Sequence, residues 1–197
     1  MNQTPNSPFI LASASPRRVD LLNQINITPT KIIPADINET PLKSEKPKNL
    51  ALRLSQEKAL HIAKNNPNAY VLAADTVVAC GQIILDKAET EPDARLFLQK
   101  LSHRRHQVHG GITLITPSGE TISRHCETLV QFKHLSPQDI NDYITSNEWN
   151  GKAGGYAIQG FAATFIKNMA GSYSNVVGLS LYDTMILLKS GGYISSP

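Results

Sequence analysis

The segment Val71-Leu72-Ala73-Ala74-Asp75-Thr76-Val77-Val78-Ala79 constrains the fold of this chain more than any other. It is apolar and β-branched along most of its length, the mark of a strand buried in a sheet. Cys80-Gly81 then turns the chain into Gln82–Leu85 as a hairpin, which requires an antiparallel neighbour and argues against an all-parallel sheet. One residue interrupts the run. An aspartate inside or at the end of a buried strand must be paired, hydrogen-bonded or bound to a metal, because an isolated buried carboxylate is very costly. A structural hydrogen-bonding role for Asp75 is the alternative to a functional one. Perturbed carboxylates mark sites often enough to make it a candidate.

Elements of both kinds alternate around this strand. A first strand lies near residues 8–12 and a helix near 16–24. A short strand follows at Lys31–Pro34, then an exposed Pro- and Lys-rich loop at 41–48. Residues 48–65 form a helix ended by Asn65-Asn66-Pro67-Asn68. Pro92–Leu101 is helical, and Val108–Thr116 pairs with Thr121–Lys133 across Pro117-Ser118-Gly119. Ser136-Pro137 opens another helix, Ala162–Met169 reads as a strand, and Ser174 or Asn175 caps a final helix. The expected class is α/β: a long mixed sheet with flanking helices, in a single domain over residues 1–197.

The first strand-to-helix junction carries a chemical signal. Ser15 is a good N-cap and Pro16 suits the first helical position. A helix amino terminus presents unpaired N–H groups and partial positive charge, which favour an anion. Arg17 and Arg18 stand in that first turn, where cations are disfavoured unless an anion compensates them. Guanidinium forks match phosphate geometry, so the economical reading is a polyphosphate site; two solvated arginines beside an ordinary cap are the alternative. Lys58 adds a second cation, since it shares the inward i±4 row of Leu54 and Ile62, although a lone lysine there commonly snorkels. Lys87 follows an apolar run past the hairpin, and Glu39 lies in a loop where a glutamate needs no explanation. Gly151–Gly160 packs four glycines around Lys152 and Gln159, backbone that turns tightly or lets a ligand approach. It matches neither a P-loop nor a dinucleotide fingerprint.

Composition removes several function classes. A formal charge of +3 with 6% aromatic residues gives little support for nucleic-acid binding. No apolar run approaches a membrane span. Cys80 and Cys126 lack metal-ligand spacing and read as reduced, buried thiols of a cytoplasmic protein.

Four segments in order resemble the motifs of one family: Leu11-Ala12-Ser13-Ala14-Ser15-Pro16-Arg17-Arg18, Ala74-Asp75-Thr76-Val77-Val78, Lys152 through Gly160, and Gly171-Ser172-Tyr173-Ser174-Asn175-Val176-Val177-Gly178-Leu179. They are similar to the successive motifs of the Maf family, nucleoside triphosphate pyrophosphatases first named for septum formation. The resemblance implies a fold like that of the inosine triphosphate pyrophosphatases, with a cleft between two lobes. It implies hydrolysis of a nucleoside triphosphate to the monophosphate and pyrophosphate, assisted by a divalent cation, Mg²⁺ or Mn²⁺. It further implies Asp75 as proton acceptor, Ser13, Arg18, Lys58, Lys87 and Lys152 at the phosphates, and Glu39 with Asp75 at the metal. Arg17, Thr76 and Gln159 match the subgroup acting on dTTP and UTP rather than the 7-methyl-GTP subgroup. A homodimer is implied as well. The chain departs from the family pattern at Ala88, Leu129, Trp149, Gly151 and Ser180. A non-catalytic nucleotide sensor in septum formation is the rival from another class, and retention of Asp75 speaks against it.

Overall fold

The computed structural model describes residues 7–194. Strand β1 (Phe9–Leu11) shows how alternation builds two cores: Phe9 and Leu11 join the larger apolar cluster, while Ile10 and Ala12 join a second one. Strand β3 (Tyr70–Cys80) continues the pattern, with Tyr70, Leu72, Ala74 and Val78 on the first face and Val71 and Ala73 on the other. Asp75 therefore shares the second face and Thr76 the first.

The remaining strands are β2 (Lys31–Ile32), β4 (Ile83–Leu85), β5 (Arg105–Ile115), β6 (Thr121–Phe132) and β7 (Ile166–Ala170). They form one mixed sheet in the order β2-β1-β3-β5-β6-β7, with β4 also on β3. β1 runs parallel to β2 and β3, and every other pairing is antiparallel. β5 occupies one edge of β3 from Val71 to Ala79. The opposite edge is shared: β1 takes Tyr70–Leu72 and β4 takes Val78–Cys80. Between them lies a stretch of β3 edge without a strand partner, and Asp75 and Thr76 lie in it. That gap positions the site.

Helix α2 (Pro47–Ala63) covers one face and α5 (Tyr173–Val177) the other. Two adjacent glycines in β5 allow both to approach. A Cβ on Gly111 would stand 2.0 Å from the Ala51 carbonyl oxygen of α2, and one on Gly110 would stand 2.0 Å from Asn175 Oδ1 of α5. Ser55 of α2 then bonds Thr113 at 2.8 Å, and Thr113 bonds Ser123 at 2.9 Å. Helices α1 (Pro16–Gln24), α3 (Glu91–Leu101), α4 (Pro137–Ser146) and α6 (Leu181–Ser190) complete the molecule. Among the described residues, no helix is long and apolar enough to cross a membrane.

Expectations and structure differ at four places. Ala162–Met169 is not one strand, because Ala162 and Phe165 at helical spacing bury together; a 3₁₀ turn spans Phe161–Phe165 before β7. The final helix is two helices. Ser172 caps α5, Gly178 ends it at φ +142°, and Ser180 caps α6, so Ser174 and Asn175 lie inside α5 rather than capping a helix. Ser15 occupies the N-cap of α1 without a side-chain cap bond; Ser13 Oγ accepts from Ser15 N at 3.1 Å instead. Cys80 and Cys126 are free thiols, as expected, but half-buried.

Gly111→Ala should test the close approach of α2. The methyl cannot fit without moving helix backbone, so chemical denaturation should report a loss of at least about 1–3 kcal/mol.

Candidate active site

The gap beside β3 opens into a cleft of about 440 Å³. Its walls include Ser13, Arg17 and Arg18 from the β1–α1 junction, and Glu39 and Lys58 from the loop before α2 and from α2 itself. Asp75 and Thr76 come from β3, Lys87 from the segment after β4, and Lys152 and Gln159 from the glycine-rich loop. Every residue singled out from the sequence for site chemistry thus lines one cavity.

On the α2 face the carboxylates and lysines form a chain. Lys58, buried as its place in the Leu54 and Ile62 row implied, brings Nζ to 2.5 Å from Asp75 Oδ1 and 2.7 Å from Glu39 Oε1. Lys87 Nζ reaches Glu39 Oε2 at 2.9 Å. Glu39 is therefore no free loop glutamate. Burial acts to raise its pKa, but hydrogen bonds from Lys58 and Lys87 win and hold it down at about 2. The reciprocal holds for Lys87, where burial opposes protonation and Glu39 outweighs it, raising the pKa. Asp75 Oδ2 has no hydrogen-bond partner among the described residues.

On the opposite face the two arginines do something the helix-start argument did not foresee. Arg17 Nε donates to the Val177 carbonyl at 3.3 Å, and Arg18 Nε donates to that of Gly178 at 2.9 Å. They satisfy carbonyls at the C-terminus of α5, which end a helix without an internal partner. Arg18 also donates to Ser13 Oγ at 2.9 Å and to Thr76 Oγ1 at 3.4 Å. Thr76 in turn donates to Gly178 O at 3.5 Å. Lys152 Nζ rests on the Asn150 carbonyl at 3.0 Å. Among the described residues, Arg17, Arg18 and Lys152 have no carboxylate within ion-pair distance. Burial lowers the pKa of Arg17; burial and then Arg17 lower that of Lys152, against an opposing effect of Glu148. For Arg18 burial is again the leading cause, partly offset by Asp75. Three cations with only neutral partners, crowded into one cleft, are electrostatically incomplete until an anion enters.

The glycine-rich loop is tied to the segment carrying Lys87. Ala88 N donates to Lys152 O at 3.1 Å, and Gly151 N donates to Ala88 O at 2.9 Å. Gly154 and Gly155 take φ of +69° and +68°, and a Cβ on Gly154 would meet the Val78 side chain at 2.7 Å. Most departures from the family pattern fit quietly into this frame. Ala88 is buried, Trp149 is buried with Nε1 donating to Ile144 O at 3.1 Å, Gly151 is exposed at φ +65°, and Ser180 caps α6. Leu129 pairs with Ala170 on β7 and does not line the cleft. The sequence reading missed Gly110-Gly111, although glycines inside a strand signal close backbone approach. It also missed Tyr156, whose hydroxyl lies 2.9 Å from Nε2 of fully buried His106; burial pushes that imidazole down to about 4 and keeps it neutral at pH 7.

The Maf-like protein family matches residues 8–191. The chain belongs to the Maf family. It is 56% identical over 185 residues to the dTTP/UTP pyrophosphatase of Paramagnetospirillum magneticum, covering 94% of this chain and 97% of that one. To the dTTP/UTP pyrophosphatase of Caulobacter vibrioides it is 53% identical, covering 94% and 96%. Among solved structures, the Ham1 protein of Staphylococcus aureus is similar with a TM-score of 0.44 and 18% identity, over 63% of this chain and 71% of that one. The mixed sheet and flanking helices of this Maf protein are seen directly in its own structure.

Glu39 makes a pH-dependent contribution whose sign is fixed. Its folded pKa of about 2 lies below the ordinary 4.5, so the stability it confers is present above 4.5 and fades as pH falls toward 2. The difference in melting temperature between wild type and Glu39→Gln should therefore narrow over that window, measured by calorimetry across pH.

Proposed function

We propose that this Maf protein hydrolyses dTTP and UTP, together with modified pyrimidine nucleotides, to the monophosphate and pyrophosphate. The observation that carries this reading is the cleft lined by Arg17, Arg18 and Lys152, none of them within ion-pair distance of a described carboxylate, with Asp75 of a buried strand lining it as well. A polyanion completes the charge on one side, and a proton acceptor stands on the other. The relatives named dTTP/UTP pyrophosphatase support the choice of nucleotide.

In this mechanism the triphosphate lies along the cations. Arg18, Lys87 and Lys152 take up charge on the departing pyrophosphate, with Ser13 donating from the β1–α1 junction. Arg18 is pre-aimed by Gly178, Ser13 and Thr76, so little reorganisation is needed as charge develops. Asp75 keeps Oδ1 on Lys58 and has Oδ2 available to accept a proton from a water attacking the α-phosphorus. The bond from that phosphorus to the bridging oxygen of the leaving group breaks as the water oxygen bonds. Lys58 holds the aspartate oriented through its bond to Oδ1, and positioning supplies much of the rate.

Glu39 and Asp75 suit a hard divalent cation, Mg²⁺ or Mn²⁺. Both offer carboxylate oxygens and both touch one ammonium group, so positive charge is already stabilised between them. An ion held by these two side chains would be completed by water and phosphate oxygens. When bound there, the cation would neutralise charge on the triphosphate.

Base choice falls to Gln159, whose amide both donates and accepts and so can meet the O4 acceptor and N3–H donor of uracil or thymine. Arg17 and Thr76 line the same cleft, and Thr76 acts through its bond to Arg18. A mismatched base covers the Gln159 amide without pairing it and is rejected.

Assay of pyrophosphate release from a panel of canonical nucleoside triphosphates and 7-methyl-GTP should give the highest kcat/KM with dTTP and UTP. Efficient hydrolysis of 7-methyl-GTP alone would overturn the assignment, and no release from any nucleotide would favour a sensor. Asp75→Asn should retain a cooperative thermal transition and lower kcat by roughly 10²–10⁴-fold, the usual loss on removing a general base.

A further inference from the structure

Gln159 is exposed and occupies the third position of a four-residue turn, Ala157–Gly160, closed by Gly160 N donating to Ala157 O at 3.1 Å. The turn follows two left-handed glycines and belongs to no strand or helix, so no ladder of backbone bonds holds it. Its two ends are gripped instead by side chains from α4 and the segment just beyond. Ala157 N donates to Tyr143 Oη at 3.0 Å, and Phe161 N donates to Glu148 Oε2 at 2.7 Å.

Both grips are rigidly based. Tyr143 is fully buried, stacked edge-on to Phe165 with ring centroids 5.5 Å apart. Helix α4 begins with a reciprocal cap between Ser136 and Asp139, and Lys133 braces Asp139 at 2.8 Å. At its other end Asn147 takes the left-handed conformation, and Trp149 is pinned to the Ile144 carbonyl, so Glu148 is held from both sides. Gly160 then makes room, since a Cβ there would stand 2.0 Å from Glu148 Oε2. Neither Tyr143 nor Glu148 lines the cleft.

We infer that Tyr143 and Glu148 are positioning residues for base selectivity, clamping the two ends of the turn that presents Gln159 without touching the nucleotide themselves. The inference rests on the reading of Gln159 as the base contact. A directional contact to a base edge is sensitive to a small swing of its carrier. In the proposed mechanism the phosphate groups are held elsewhere, by Arg18 on α1 and by Lys87 with Lys152, whose segments are joined through Ala88. Loosening the clamp therefore degrades discrimination while leaving the reacting end in place.

The test is steady-state kinetics of Tyr143→Phe, Glu148→Ala, Glu148→Gln and Gln159→Glu with dTTP and CTP, alongside thermal melts. Tyr143→Phe and Glu148→Ala should each lower the dTTP-over-CTP ratio of kcat/KM by roughly three- to tenfold, the scale of one hydrogen bond. The loss should fall on KM for dTTP, with kcat little changed. Glu148→Gln keeps an oxygen that accepts from Phe161 N and should retain the wild-type ratio. Should Tyr143→Phe fail to fold, the two Glu148 variants carry the comparison. An unchanged ratio in the clamp variants while Gln159→Glu shifts it would overturn the clamp, as would a fall in kcat at constant selectivity. An unchanged ratio in Gln159→Glu would overturn the underlying reading of Gln159 itself.

Discussion

The buried ion pair between Lys58 and Asp75 ties the sheet, the helix and the chemistry together. Either charge alone would be costly at that depth, and removing one partner of such a pair is strongly destabilising. Its geometry demands that α2 lie close to β3, and that closeness depends on the residue paired with Asp75 on the neighbouring strand. Gly111 in β5 touches the Ala51 carbonyl, and no side chain could replace its hydrogen without lifting the helix. The placement of Asp75 against Lys58 is thus decided partly by a glycine that never meets the substrate.

Asp75 and Thr76 are neighbours in sequence that work on opposite faces of one strand. Asp75 meets Lys58 from α2, while Thr76 meets Arg18 and Gly178 from α1 and the end of α5. A single ligand can address both faces because β1 and β4 divide one edge of β3 and leave the stretch between them unpaired. Most sheets cannot permit this, since a continuous neighbour would cover the edge.

Much of this was legible beforehand. Continuous apolar, β-branched character identified β3 as a buried strand, Pro16 marked the start of α1 correctly, and the Leu54 and Ile62 row pointed Lys58 inward. The charged interruption at Asp75 was visible as an anomaly because burial makes ions expensive. The misreadings have physical causes as well. Residues 162–165 carry apolar spacing that suits either a strand or a 3₁₀ turn, and packing of Ala162 and Phe165 chose the turn. Val177 and Leu181 were read on one continuous final helix, whereas Gly178 is the break that separates α5 from α6.

By itself the sequence determined the element types, the mixed character of the sheet and the residues that could hold a polyphosphate, because these depend on local spacing and on the cost of burying charge. Only the tertiary structure decided which of those residues are paired with each other. Glu39 became a partner of Lys58 and Lys87, the two arginines became caps for α5, and Tyr143 and Glu148 came to accept from backbone amides 14 and 13 residues further along the chain. Such pairings join groups distant along the chain, and no local pattern specifies which donor will find which acceptor once the sheet and its helices close.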